Sequence, residues 1–70
     1  MQTYWHIKDL IYEEEHSLVK QGFISALVID TSDFAFTIIT AKNQEQVFYL
    51  KLRFGNRLES YQIQKNDSIV

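Results

Sequence analysis

Three turn signals constrain the fold of this chain most strongly, because a tight turn fixes which residues face each other on adjacent strands. They lie at residues 31–32, in the polar stretch AKNQE, and at residues 55–56. The intervening segments FISALVID, FAFTIIT and QVFYLKLRF are rich in β-forming residues and largely alternate. Joining them by these turns places one hydrophobic set on a single face: Leu27, Ile29, Phe34, Phe36, Ile38, Phe48, Leu50, Leu52, Phe54, Tyr61 and Ile63. This agreement predicts a four-stranded antiparallel β-meander, order 1-2-3-4, whose last strand covers residues 57–65.

The segment before Gly22 follows the helical period instead. Four apolar residues fall within an arc of about 100° at that period: Ile7, Leu10, Ile11 and Leu18. The run EEEHSLVKQ favours helix, and Gly22 stands where a left-handed cap residue belongs. The pattern predicts an N-terminal amphipathic helix over residues 3–21, packed on the sheet. An alternative stays open, in which residues 4–12 form a strand with Trp5, Ile7 and Ile11 on one side.

Length and composition limit the architecture to one α+β domain over residues 1–70, with residues 66–70 as a frayed tail. The sequence contains no cysteine, which excludes disulfides and thiolate sites. No apolar run approaches the ~18 residues that cross a bilayer, and the N-terminus lacks the pattern of a signal peptide. We therefore expect no membrane association and a cytoplasmic location.

Charge is divided unevenly along the chain. The first 35 residues carry two basic and six acidic side chains, and the last 35 carry five and three, giving a net charge of −2. Such a bipolar domain can pair with itself or with a polar partner. It lacks the high isoelectric point of a general nucleic-acid binder.

The predicted sheet leaves one face without a covering helix. That face is apolar on its first strands and basic on its third, and its candidate partner-binding residues are Ile24, Val28, Ile39, Val47, Tyr49, Lys51 and Arg53. Scattered apolar residues on an open sheet need no partner, but adjacent ones mark an interface. We predict a non-catalytic protein-interaction or regulatory domain that homodimerises, or binds a protein partner, through this face.

Two further surfaces carry alternative predictions. A second contact is expected at Trp5, Tyr12 and His16, because Trp and Tyr are favoured at interface hot spots. The alternative function is single-stranded nucleic-acid binding, with Tyr49 stacking a base between Lys51 and Arg53. One aromatic residue and two cations make no continuous electrostatic track, so protein binding is favoured.

Sites of chemistry are weakly indicated, and we expect no enzyme, no metal and no cofactor. His6, Asp9 and Glu13 would share one helix edge, but no fourth ligand follows, and a solvated acidic edge explains them. Glu14 lies inside the apolar arc, where it either pairs with a cation such as Arg57 or has its pKa raised by desolvation. The chain has no nucleophile turn or phosphate loop, since Gly22 and Gly55 are its only glycines.

Overall fold

The computed structural model describes residues 2–63 and 67–69. Over these ranges the chain forms five strands and two helices: β1 (Thr3–Ile7), α1 (Tyr12–Lys20), β2 (Ile24–Ile29), β3 (Ala35–Ala41), α2 (Gln44–Phe54), β4 (Leu58–Tyr61) and β5 (Ser68–Ile69). A 3₁₀ turn, Gly55–Arg57, joins α2 to β4. The predicted α+β class is confirmed, but the predicted single helix and four-stranded meander are wrong.

The strands form one antiparallel sheet in the order β4-β1-β3-β2-β5. Without its short last strand, the chain follows the order βαββαβ, which is that of the ferredoxin-like split βαβ arrangement. This topology places β1 between β4 and β3 and leaves β4 and β5 at opposite edges among the described residues. A fold of this kind hosts many unrelated functions, so the function has to be argued from a site.

The N-terminal segment is a strand followed by a shorter helix, which supports the alternative interpretation for its first part. β1 ends at Ile7, and Asp9 adopts a φ of 55°, which interrupts the chain before α1 begins at Tyr12. The helical arc of apolar residues was misleading because it combined Ile7, from the strand, with Leu18, from the helix. Aromatic and β-branched residues in TYWHI favour strand locally.

Gly22 ends α1 as predicted, with a φ of 95°. The amide of Gly22 donates to the carbonyl of Val19, and that of Phe23 donates to the carbonyl of Leu18, both at 3.0 Å. These two bonds are those of a Schellman cap, in which the residue after the glycine packs against the last turn. Phe23 and Leu18 are accordingly both buried in the core.

The hairpin of β2 and β3 is confirmed, but its predicted register is wrong by one residue. Ile29 faces Ala35 and Val28 faces Phe36, because the loop has three residues rather than two. Asp33 closes this loop with a φ of 64°, and the carboxylate of Asp30 accepts bonds from two loop amides. A three-residue loop closed by a left-handed residue is a standard hairpin connection. The shift moves Phe36 to the opposite face of the sheet.

The segment predicted as the third strand is helix α2. Asn43 caps its N-terminus, with the side-chain oxygen accepting from the amide of Gln46 at 2.9 Å. The Gln46 side chain in turn accepts from the amide of Lys42 at 2.7 Å. Asn followed three residues later by Gln before an apolar run is a helix-start signature that strict alternation concealed. Only Leu50 and Phe54 of this helix are buried.

The C-terminal prediction holds in part. The last long strand is β4, which ends at Tyr61, while residues 64–66 lie outside the described residues. Residues 66–70 were predicted as a frayed tail, yet Ser68 and Ile69 pair with β2 as strand β5. Positions 66 and 70 of that predicted tail lie outside the described residues as well.

Both helices cover the same face of the sheet. One core cluster contains residues from β1, β3 and both helices: Ile7, Leu18, Phe23, Ile39, Ala41, Leu50 and Phe54. The opposite, helix-free face carries Val28 and Ile38, which are nevertheless 0% and 1% exposed. The C-terminal residues contribute to this face, since Ile69 pairs with Val28 and Asp67 accepts a bond from the Tyr61 hydroxyl. The middle of the helix-free face is therefore covered within the chain itself.

Candidate functional site

The seven residues predicted as a partner-binding surface do not form one surface. Ile24 is exposed on β2, whereas Val28 is fully buried on the helix-free face. Ile39 is fully buried in the core on the opposite, helix-covered side. The remaining four belong to α2 rather than to a strand: Val47, Tyr49, Lys51 and Arg53. The predicted uncovered patch required a meander that the chain does not form.

Tyr49 and Arg53 instead hold the two helices together. The Tyr49 hydroxyl accepts hydrogen bonds from Gln21 at 3.0 Å and from Arg53 at 2.8 Å. Ser17 accepts from the same two side chains at 3.2 Å and 3.3 Å. Burial opposes ionisation of Tyr49, but the hydrogen bonds that its hydroxyl accepts from Gln21 and Arg53, with the charge of Arg53, outweigh burial and lower the pKa of Tyr49. The predicted base-stacking trio is thus divided, because Tyr49 and Arg53 contact each other and α1, whereas Lys51 lies over the ring of Trp5.

The second predicted contact is divided between two places. Tyr12 and His16 stack on the exposed side of α1, with ring centroids 5.8 Å apart. Trp5 lies on β1 against the core, under the ammonium group of Lys51, and donates to Thr3 at 2.8 Å. Only the Tyr12–His16 pair forms an exposed surface.

The residues considered for metal binding lie in different elements, and Glu14 forms an ion pair. His6, Asp9 and Glu13 do not share a helix edge, since only Glu13 lies in α1. No cluster of His, Cys, Asp and Glu side chains among residues 2–63 and 67–69 has the geometry of a metal site. Glu14 pairs with Arg57, the cation considered for it, and this lowers the Glu14 pKa to about 2. Glu14 is therefore no general acid at neutral pH.

A groove on the helix-free face brings aromatic side chains together. Its volume is about 360 Å³, and it lies where β1, β3 and β4 meet the β2–β3 loop. We call it the aromatic groove and define it by its lining residues: His6, Asp30, Phe34, Ala35, Phe36, Glu59, Ser60 and Tyr61. Phe36 forms edge-to-face contacts with His6 and Tyr61, at centroid distances of 5.5 Å and 5.1 Å. Phe34 is 71% exposed.

The groove has an acidic border. Glu59 lies opposite His6 across β1 and β4, with the ring Nδ1 3.4 Å from its carboxylate, and Lys8 approaches it at 3.1 Å. Lys8 first, and then His6, lowers the pKa of Glu59, so its carboxylate is charged at neutral pH. Asp30 contributes a second carboxylate from the β2–β3 loop.

Tyr61 joins the groove to the C-terminal segment. Its hydroxyl donates to the Asp67 carboxylate at 2.5 Å. This bond, together with burial and the negative charges of Asp67 and Asp30, raises the pKa of Tyr61 to about 12. Tyr61 therefore stays neutral at physiological pH, where its ring can take part in apolar and cation–π contacts but its hydroxyl is neither a base nor a nucleophile.

These groove residues were missed as a site because of the hairpin register. With two loop residues, Phe36 falls on the helix-covered side; with three, it joins His6 on the helix-free face. The available signal was the pair of Asp residues flanking Thr31 and Ser32, because Asp both caps loop amides and tolerates positive φ. The sequence pattern indicates His6 only as a metal ligand.

No family model, curated protein or solved structure is significantly similar to this chain. In the described part of the chain, neither helix has the length and apolar character needed to cross a membrane.

Proposed function

We propose that the chain is a small non-catalytic protein-interaction domain and that it binds its partner at the aromatic groove. The observation that carries this proposal is the exposure of Phe34. Its side chain is 71% exposed and lines a cavity of about 360 Å³ together with Phe36 and Tyr61. Exposed aromatic side chains next to a concave surface are typical of interface anchors.

The proposed surface differs from the one expected from sequence. Burial of Val28 and Ile38 leaves little apolar area at the middle of the helix-free face for back-to-back packing of two sheets. The groove lies to one side of these residues and retains both an exposed ring and charged residues at its border. These are the features of an anchoring pocket with a polar rim.

Selection from a random-peptide phage library on the immobilised chain tests this proposal. We expect peptides that bind the unmodified chain and lose at least about fivefold in affinity when Phe34→Ala removes the exposed ring. Phe48→Ala is the matched control, because Phe48 is 63% exposed on α2, outside the groove. Failure to recover any peptide, or equal loss in both variants, would contradict the proposal.

Self-association is a second candidate, supported by a different surface. Phe48 and Leu52 lie one turn apart on α2, and both are large, apolar and exposed. Pairing of two chains across this stripe would bury them. Light scattering over a dilution series should then show a dimer that Leu52→Glu converts to a monomer, whereas a monomer at all concentrations would exclude this second candidate.

Nucleic-acid binding receives less support from the groove. Sheet-borne aromatic rings stack bases in single-stranded RNA recognition, but such sites need cations along the phosphate track. Here Asp30 and Glu59 border the rings, and Lys51 and Arg53 are on α2. A labelled oligonucleotide serves as a negative probe in the binding experiments below.

A further inference from the structure

We infer that the aromatic groove takes an arginine side chain, presented by an extended segment of the partner protein. This inference rests on the proposed function and names the chemistry of the partner. It depends on three features of the groove, which are the arrangement of its rings, its excess of carboxylates and its position at an edge of the sheet.

The rings form a corner. Phe36 meets His6 at an interplanar angle of 70° and Tyr61 at 74°, so the plane of Phe36 is steeply inclined to both neighbouring rings. The face of an aromatic ring carries negative electrostatic potential, and a cation placed over it is attracted. A planar guanidinium can stack on one ring while its rim N–H groups point away from that ring.

The charges nearby favour a cation. Asp30 and Glu59 line the groove, and Asp67 is bonded to Tyr61 at its border. Against these three carboxylates stand Lys8, which is 3.1 Å from Glu59, and the His6 ring. Even with both of these groups counted as cations, the three carboxylates leave the local balance negative, which is complementary to a positively charged side chain.

Arginine fits this combination better than lysine does. Its fork of N–H donors can bind a carboxylate with two bonds while its plane lies against a ring. Its weaker hydration makes entry into a partly apolar groove less costly than for an ammonium group. Glu59 and Asp30 would supply the acceptors and Phe36 the stacking partner.

The location of the groove favours a protein segment over a free small molecule. Ser60 and Tyr61 line it from β4, and β4 is an edge strand in the described part of the sheet. An edge strand offers backbone groups to an added strand, and alternate side chains of that added strand point to one face. A partner strand beside β4 would thus direct a side chain towards the rings.

Fluorescence anisotropy with a labelled seven-residue peptide tests the inference. The peptide carries one central arginine between valines, and a matched peptide carries citrulline, which keeps the shape and removes the charge. We expect the arginine peptide to bind at least about tenfold more tightly than the citrulline peptide. Asp30→Asn and Glu59→Gln should each reduce the preference for the arginine peptide. Glu13→Gln, which removes a carboxylate of α1 outside the groove, should leave this preference unchanged. Circular dichroism of each variant checks that the fold is retained.

Four outcomes of the peptide and oligonucleotide titrations would overturn the inference. They are no binding of the arginine peptide at millimolar concentration, equal binding of arginine and citrulline peptides, binding of free argininamide as tight as that of the peptide, and binding of a single-stranded oligonucleotide that depends on Phe34. Phage-selected peptides that need Phe34 but contain no preferred arginine would overturn this inference alone. The proposed function would stand in that case, since it requires only a groove-bound peptide.

Discussion

The guanidinium of Arg57 holds both carboxylate oxygens of Glu14, with N–O distances of 2.9 Å and 2.8 Å. The same guanidinium donates to the carbonyl groups of Lys8 and Asp9, each at 2.9 Å. Glu14 also accepts from the amide of Ile11 at 3.2 Å. A single side chain, Arg57 at the end of the 3₁₀ turn, therefore fixes the connection between β1 and α1, where Asp9 has its positive φ.

Replacing Arg57 by lysine should destabilise the chain, because one ammonium group cannot make the fork of bonds to Glu14 and to two carbonyls. Thermal unfolding followed by circular dichroism should show a lower Tm for Arg57→Lys and a still lower Tm for Arg57→Ala. Lys20→Ala, at the exposed end of α1, is the control and should leave the Tm nearly unchanged. An unchanged Tm in Arg57→Lys would show that the bonds to Glu14 and the two carbonyls are not needed.

Acid should weaken the fold through Glu14. Its pKa is about 2 in the folded chain and 4.5 ordinarily, chiefly because of the hydrogen bond from Arg57. A lowered folded pKa stabilises the fold above pH 4.5, and this stabilisation is lost as the pH falls from about 4.5 to about 2. Urea titrations across this window should show a steep loss of stability in the unmodified chain. The loss should be shallower in Glu14→Gln, and Glu13→Gln should behave like the unmodified chain.

Alanine substitutions along α2 distinguish the helix from a strand. In the structure Leu50 is buried while Phe48 and Leu52 are exposed, whereas a strand would place all three on one face. Leu50→Ala should cost about 2–5 kcal/mol of unfolding free energy. Phe48→Ala and Leu52→Ala should each change it by less than about 0.5 kcal/mol. Similar large losses of unfolding free energy at all three positions would indicate that this segment is a strand and not a helix.

Asn43 should prove necessary at the start of α2. Loss of its side-chain acceptor leaves the amide of Gln46 without its cap bond, and such substitutions cost about 1 kcal/mol. Urea unfolding of Asn43→Ala should show this loss, and Asn43→Asp, which keeps an acceptor oxygen, should not. Gln44→Ala at the first helical position provides the control. A harmless Asn43→Ala would mean that α2 begins elsewhere.

The sequence predicts the α+β class, the β2–β3 hairpin and the cap at Gly22, since each depends on local residue types. It misleads at β1, where residues at helical spacing come from two different elements. It misleads again at α2. Strict alternation of apolar residues favours a strand, but the same residues in a helix lie on different sides of it. There the cap formed by Asn43 and Gln46 was the better guide.

The groove could not be predicted with these errors in place. Its residues come from β1, the β2–β3 loop, β3 and β4, so it exists only when β1 lies between β3 and β4. That neighbourhood is set by the path of the chain over the sheet rather than by any local pattern. The one-residue change in the hairpin loop then decides whether Phe36 belongs to the groove.

Chemical-shift mapping by NMR tests the central claim most directly, namely that the partner binds at the aromatic groove. A phage-selected peptide is titrated into the isotopically labelled chain, and backbone amide shifts are followed. The account predicts the largest shifts at His6, Phe36 and Glu59, with small shifts at Phe48 and Leu52. Largest shifts on α2, with the groove amides unmoved, would contradict it.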